Sequence, residues 1–98
     1  MGMVQVKGEL KKHTVMIYSI STCVPCSNTK AFLDDQSVGY DYLDLDTVEP
    51  WERSEAMIEI GEHLPGRGVN LALPIIIIDG YILILGFDKR NLSEQLDM

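Results

Sequence analysis

Two cysteines, Cys23 and Cys26, are the residues with the clearest chemistry in this chain, and they are its only two cysteines. The apolar run of residues 15–20 before them predicts a buried strand, and residues 27–36, with no Pro or Gly, predict a helix. The first turn of a helix has unpaired N–H groups and a partial positive charge, which would stabilise a thiolate on Cys23. A strand–CxxC–helix segment therefore predicts thiol–disulfide exchange.

In such an exchange Cys23 attacks a substrate disulfide, and Cys26 then resolves the mixed disulfide, leaving the pair oxidised. Two other interpretations of the pair exist. A structural zinc site needs four ligands, and only His13 and His63 could complete it, at a spacing that matches no familiar zinc module. An inert buried pair does not fit the position between a strand and a helix. We therefore expect no metal and no cofactor other than the disulfide itself.

Size and charge exclude several classes of protein. Ninety-eight residues predict a single domain over residues 1–98. The net charge of −7 argues against nucleic-acid binding, which needs clustered Lys and Arg. The basic N-terminus has no long apolar core, and the apolar run 71–85 is interrupted and too short to span a membrane. With no disulfide framework either, we expect a cytoplasmic monomer without a membrane partner.

The first half of the chain predicts two main strands and a helix. Residues 3–6 alternate apolar and polar side chains, which predicts either a short extra strand or a flexible lead-in. A strand over 14–20 and a helix over 24–36 follow, with Gly39 ending the helical region. Residues 40–46 alternate strictly and predict a half-buried strand near a sheet edge, whose aspartates resist aggregation rather than bind metal.

The second half predicts a helix, a hairpin and a last helix. Asp46 or Thr47 could cap a helix ending near His63, before the Pro-Gly segment 65–68. Two apolar runs joined by Asp-Gly then predict a β-hairpin, and their continuous apolar character requires helices on both faces of the sheet. Asp88 is placed to cap the last helix, with Leu92 and Leu96 on its buried side.

Three motifs, taken in order, resemble those of glutaredoxin-like redoxins of the thioredoxin fold. Residues 21–26 carry the cysteine pair after a strand. Leu73-Pro74 opens the hairpin, where this family has a cis-proline facing the cysteines. Gly86-Phe87-Asp88 follows the last strand, where glutaredoxins carry Gly-Gly-x-Asp and related small redoxins carry Gly-Phe. The resemblance spans roughly residues 14–96.

The resemblance implies an α/β thioredoxin fold with the order β-α-β-α-β-β-α. Its four strands would form a mixed sheet in the order 2-1-3-4, with helices on both faces. It also implies that Cys23 and Cys26 are catalytic and that a disulfide substrate is bound around them. The implied substrate contacts are Thr22, Val24, Pro25, Leu73, Pro74, Gly86, Phe87 and Asp88.

Two departures from the family pattern bear on the reductant. Ile20 stands where glutaredoxins that use glutathione commonly carry Lys or Arg, and Pro25 stands where they usually carry Tyr. A proline before the second cysteine is instead the thioredoxin pattern, and it supplies no N–H to a nearby sulfur. We therefore expect a reducing couple, nearer the ~ −270 mV of thioredoxin than the potential of glutaredoxins.

The sequence thus predicts a dithiol oxidoreductase that reduces protein disulfides and is re-reduced by a protein reductase. A glutathione-dependent glutaredoxin is the first alternative. A module that holds an iron–sulfur cluster through Cys23 of two chains is the second. Of the remaining polar residues, Arg67 could contact an anionic substrate group, while Lys30, His13 and His63 are expected to be solvated surface residues.

Overall fold

The computed structural model describes residues 3–9, 13–63 and 72–97. Its strands are β1 (Met3–Val6), β2 (Val15–Ser19), β3 (Tyr40–Asp44), β4 (Ile75–Ile78) and β5 (Ile82–Leu85). Its helices are α1 (Val24–Asp35), α2 (Pro50–His63) and α3 (Lys89–Gln95). Apart from β1, this is the element order that the sequence predicts. None of the helices in the described ranges is long and apolar enough to cross a membrane.

The strands form one five-stranded sheet in the order β1-β3-β2-β4-β5. β2 and β3 are parallel, as expected for strands joined by a crossover helix, and the other neighbours are antiparallel. The predicted four-strand order is present as β3-β2-β4-β5. The predicted strand count is corrected to five, because β1 pairs with β3 through Met3 opposite Leu43 and Val6 opposite Tyr40.

The extra strand changes the position of β3 and the role of Gly39. β1 takes the sheet edge, so β3 is an interior strand and not the edge strand that its alternating pattern suggested. Gly39 does not end α1, because the left-handed residue after that helix is Ser37, with φ 59°. Gly39 instead lies against Gly8, where a Cβ added to Gly8 would be 2.3 Å from the Gly39 nitrogen. Only glycine allows this close approach of two backbones.

Helices cover both faces of the sheet, as the apolar hairpin requires. One core contains Ile17, Leu33, Ile76 and Leu92, and joins α1 and α3 to the sheet. The other contains Tyr18, Leu43, Ala56, Ile60, Ile75 and Ile77, and joins α2 to the opposite face. The four residues of β4 are all buried because each face of this central strand meets a core.

The predicted N-cap of α3 is confirmed, whereas the predicted N-cap of α2 is not. Asp88 accepts a hydrogen bond from the Asn91 amide at 3.1 Å and caps α3, as predicted. The prediction that Asp46 or Thr47 caps α2 is wrong. The Thr47 hydroxyl donates to the Asp44 carbonyl, and the Asp46 carboxylate binds Ser21 in the loop before the cysteines.

Two histidines that were expected at the surface lie there and also hold the β4–β5 turn. His13 lies between Asp79 and Asp97, with Nδ1–Oδ2 and Nε2–Oδ2 distances of 2.7 and 3.0 Å. His63 lies between the carbonyl oxygens of Glu59 and Gly80, at 2.9 and 2.7 Å. Each imidazole faces two acceptors and donates to both only when it is protonated. Hydrogen bonds from these rings raise the pKa of both histidines above the usual 6.5.

The same geometry predicts that the stabilising effect of His13 depends on pH. A histidine pKa raised by folding contributes stability below its unfolded value of 6.5, and that contribution is lost as pH rises through the higher folded pKa. We expect His13→Gln to lower the melting temperature more at about pH 6 than at about pH 8.5. Thermal unfolding of both proteins at both pH values measures this difference. An equal or larger penalty at the higher pH would contradict the assignment.

Candidate active site

Cys23 and Cys26 form a disulfide at the start of α1, with their Cα atoms 5.2 Å apart. Cys23 is partly exposed, whereas Cys26 is fully buried. Cys23 is also the N-cap of α1, and its sulfur accepts a hydrogen bond from the Cys26 amide at 3.2 Å. An N–H donor of this kind stabilises a thiolate on Cys23, and the exposure of Cys23 leaves it the more accessible of the two sulfurs.

A tight turn leads into the cysteine pair. The Cys23 amide donates to the Ile20 carbonyl at 3.2 Å, so residues 20–23 form a turn between β2 and α1. Ser21, the second residue of this turn, is held by Asp46 through its backbone amide at 2.9 Å and its hydroxyl at 2.5 Å. These two hydrogen bonds hold the pKa of Asp46 below its usual value, so it remains a carboxylate. Thr22, the third residue, is exposed.

The Leu73–Pro74 peptide bond is cis, as the resemblance implied, and it lies at the same end of the sheet as the cysteines. Tyr18, near the end of β2, pairs with Ile75, the first residue of β4, so Pro74 comes directly beside the end of β2. Leu73 is partly buried, and neither its N–H nor its C=O is hydrogen-bonded to another described residue. Within the part of the chain that the structure describes, the backbone donor and acceptor of Leu73 are therefore unoccupied.

The Gly86-Phe87-Asp88 segment also reaches this end of the sheet. The Gly86 amide donates to the Pro74 carbonyl at 2.8 Å and contacts the Ala72 carbonyl at 3.1 Å. The Phe87 ring packs against Phe32 of α1, with ring centroids 6.1 Å apart. The structure therefore places the predicted site residues at one end of the sheet, the end at which α1 begins.

The first turn of α1 presents an apolar surface beside Cys23. Val24 is 68% exposed, and Pro25 is exposed as well. Lys89 lies over the ring of Phe32 in α1, 5.5 Å from its centroid. The partly exposed Cys23 sulfur thus lies next to two exposed apolar side chains.

Lys30 is not the solvated side chain that the sequence suggested. Its ammonium lies 3.5 Å from an Asp44 oxygen and 3.8 Å from the centroid of the Tyr42 ring. The same Asp44 oxygen accepts a hydrogen bond from the buried Ser19 hydroxyl at 2.5 Å. Ser19, Asp44 and Lys30 thus connect the ends of β2 and β3 with α1, which stiffens the base of the loop that carries the cysteines.

Asp46 is the site residue that sequence reasoning missed, and Arg67 lies outside the described residues. A signal for Asp46 exists in the register of β2 and β3. Ser19 pairs with Asp44, so the same offset of 25 residues places Asp46 beside Ser21. This signal becomes readable only when the register is known, because a parallel pairing across a helix leaves no local trace in the sequence.

The sheet order, the helices on both faces and the cysteine pair before α1 define a glutaredoxin-like redoxin of the thioredoxin fold. The glutaredoxin family model matches residues 15–82, which is most of the chain. The protein therefore belongs to the glutaredoxin family.

Three known proteins are similar to this chain over most of their length. The glutaredoxin from Methanosarcina mazei Go1 is 33% identical, with a TM-score of 0.84 over 100% of this chain and 90% of that one. Methanosarcina acetivorans methanoredoxin is 29% identical, with a TM-score of 0.75 over 87% and 85% of the two chains. The gene 56 protein of Mycobacterium phage D29 is 30% identical over 85% of this chain and 82% of its own.

Proposed function

We propose that this protein is a thiol–disulfide oxidoreductase that reduces protein disulfides through Cys23 and Cys26. The observation that carries the proposal is the asymmetry of the pair. The partly exposed Cys23 sulfur caps α1 and accepts a hydrogen bond from the backbone amide of Cys26, whose side chain is fully buried. A nucleophile must be both accessible and stabilised as a thiolate, and a resolving thiol must be held nearby.

The proposed reaction balances as a two-electron exchange. In the reduced protein the Cys23 thiolate attacks one sulfur of a substrate disulfide, the substrate S–S bond breaks, and one substrate thiolate leaves and takes up a proton. The Cys26 thiol then loses its proton to solvent and attacks the Cys23 sulfur. The mixed disulfide breaks, the second substrate thiol is released, and the Cys23–Cys26 bond forms. The substrate gains the two electrons that the pair loses.

The surroundings of Cys23 suit an extended peptide as substrate. The N–H and C=O of Leu73, which no other described residue binds, could pair with a peptide backbone in the manner of an added strand. The exposed Val24 and Pro25 offer apolar contact on the other side of the sulfur. Thr22, Pro74 and the turn of Gly86, Phe87 and Asp88 complete the proposed substrate-binding surface.

We propose a protein reductase rather than glutathione as the source of electrons, in the cytoplasm. Ile20 provides no cation to bind a glutathione carboxylate or to stabilise the thiolate, and Pro25 provides no N–H donor. Less stabilisation of the reduced form favours a reducing couple. A protein donor of the thioredoxin-reductase type suits such a couple, and the monomeric protein would then pass the electrons to its disulfide target.

A coupled disulfide-reduction assay tests the choice of reductant. Insulin serves as the disulfide substrate, and either a thioredoxin-reductase system or glutathione with glutathione reductase supplies the electrons. We expect turnover with the protein reductase to exceed turnover with glutathione by at least about tenfold. The matched variant Ile20→Lys supplies the cation that this chain lacks. It should therefore lower the ratio of turnover with the protein reductase to turnover with glutathione.

Two outcomes would overturn this part of the proposal. Efficient turnover with glutathione alone would identify a glutathione-dependent glutaredoxin. Visible absorbance of the anaerobically purified protein, together with no reduction of insulin, would favour the iron–sulfur module.

A further inference from the structure

We propose that Asp46 is a positioning residue for Cys23, because it holds Ser21 and thereby the turn that sets the Cys23 sulfur against the start of α1. The inference rests on the proposed function in one respect, namely that Cys23 is the attacking thiol. It goes further in assigning a role to a residue that lies 23 positions away along the chain and belongs to neither the cysteine motif nor the Leu73-Pro74 segment.

The contact between Asp46 and Ser21 uses both oxygens of the carboxylate. Oδ1 accepts the Ser21 backbone amide at 2.9 Å, and Oδ2 accepts the Ser21 hydroxyl at 2.5 Å. Two donors on one residue, bound by two acceptors on another, fix both distance and orientation. Hydrogen bonds to an ionised acceptor are also shorter and stronger than neutral ones.

The segment that carries Asp46 is itself held on both sides. The Leu45 amide donates to the Ser19 carbonyl at 2.7 Å, which extends the pairing of β3 with β2. The Leu45 carbonyl accepts a hydrogen bond from the Arg53 side chain of α2 at 2.7 Å. The segment that carries Asp46 is therefore fixed by contacts other than those with Ser21. For this reason the hydrogen bonds between Asp46 and Ser21 restrain the turn that contains Ser21.

The turn transmits this restraint to the sulfur through a short stretch of backbone. Ser21 is two residues before Cys23, and the Cys23 amide closes the turn on the Ile20 carbonyl at 3.2 Å. Cys23 then takes the extended N-cap conformation, φ −82° and ψ 117°, in which its sulfur accepts the Cys26 amide. Loosening the turn would let Cys23 leave this conformation, and its thiolate would lose that donor.

Asp46 could affect Cys23 either as a tether, through its hydrogen bonds to Ser21, or as a nearby negative charge. The two roles predict opposite changes in the pKa of Cys23 when Asp46 is removed. A carboxylate that acted only through its charge would disfavour the thiolate, so its removal would lower the pKa of Cys23. A carboxylate that acts as a tether keeps the sulfur on its N–H donor, so its removal raises that pKa. Ser21→Ala separates the two effects, because it weakens the tether and leaves the charge in place.

The test measures iodoacetamide alkylation of Cys23 against pH in a Cys26→Ser background, which leaves one thiol and keeps the amide of residue 26. We expect Asp46→Ala and Ser21→Ala each to raise the pKa of the Cys23 thiol and to slow alkylation near neutral pH by about three- to tenfold. The double variant should be no slower than the slower single variant, because both remove the same contact.

Two matched controls complete the experiment. Ser21→Thr keeps the hydroxyl and should retain alkylation within about twofold. Asp35→Asn removes an exposed carboxylate from the other end of α1 and should leave the profile unchanged. Circular dichroism spectra that match the parent protein confirm that the variants are folded.

Faster alkylation in Asp46→Ala with no change in Ser21→Ala would overturn the proposal in favour of a charge effect, and unchanged alkylation in both would overturn it outright. Alkylation needs no disulfide substrate, so its outcome is independent of the proposed function. If the pKa of Cys23 shifts as expected but the protein reduces no protein disulfide, the proposed function is wrong and the positioning role of Asp46 still holds.

Discussion

Replacement of Cys23 by serine is expected to abolish disulfide reduction, a loss of at least about a thousandfold. A serine hydroxyl is not ionised at neutral pH and cannot form the sulfur–sulfur bond through which the electrons pass. The helix-start amide that stabilises the sulfur remains but has no thiolate to bind. Insulin reduction by purified parent and variant proteins measures the loss.

Replacement of Cys26 by serine is the matched control, because it removes the second thiol and leaves the first. Cys26 is fully buried behind Cys23, where it can reach only the sulfur to which it bonds. The variant should still attack a substrate disulfide and should then accumulate as a mixed disulfide, visible as an added mass that dithiothreitol removes. Rapid, sustained turnover without Cys26 would contradict the dithiol mechanism.

Truncation of Ile60 to alanine is expected to destabilise the fold by about 2–5 kcal/mol. The side chain is completely buried in the core between α2 and the sheet. Its removal loses apolar burial and leaves a cavity that the rest of this close-packed core, which includes Tyr18 and Ile77, fills only in part. Such a loss is a large share of the roughly 5–15 kcal/mol that stabilises a domain. Urea unfolding of both proteins measures the difference.

Ile58 provides a control of the same residue type on the same helix. It is 65% exposed, so Ile58→Ala should change the free energy of unfolding by no more than about 0.5 kcal/mol. Alanine improves helix propensity equally at both positions, so the comparison isolates burial. A destabilisation of similar size in the two variants would show that the α2 side of the core is not packed as described.

Local patterns in the sequence were sufficient for the elements around the cysteines. Apolar β-branched residues before Cys23 and a run without Pro or Gly after Cys26 predicted β2 and α1, and both are present. The Asp79-Gly80 turn predicted the β4–β5 hairpin, and the continuous apolar strands predicted helices on both faces. Each of these features depends on residues close together in the chain, which is why the sequence reveals them.

Other features depended on residues that are distant in sequence. Whether residues 3–6 form a strand is decided by their pairing with β3, in which Val4 lies opposite Tyr42 and Gln5 opposite Asp41. The contacts of His13 were not visible in the sequence because its partners, Asp79 and Asp97, are 66 and 84 positions away. Nothing in the sequence around Lys30 indicated that its side chain would contact Asp44 and Tyr42.

The sequence by itself determined where the candidate site lies, since two cysteines spaced for one helical turn after a strand predict a site of thiol–disulfide exchange. The tertiary structure alone decided what surrounds that chemistry. The parallel register of β2 and β3 brings Asp46 to Ser21, and the pairing of β4 with β2 brings Leu73 and Pro74 to the end of the sheet that carries the cysteines. The physical reason is that helical and strand periodicity are local properties, whereas register is set by packing the whole core.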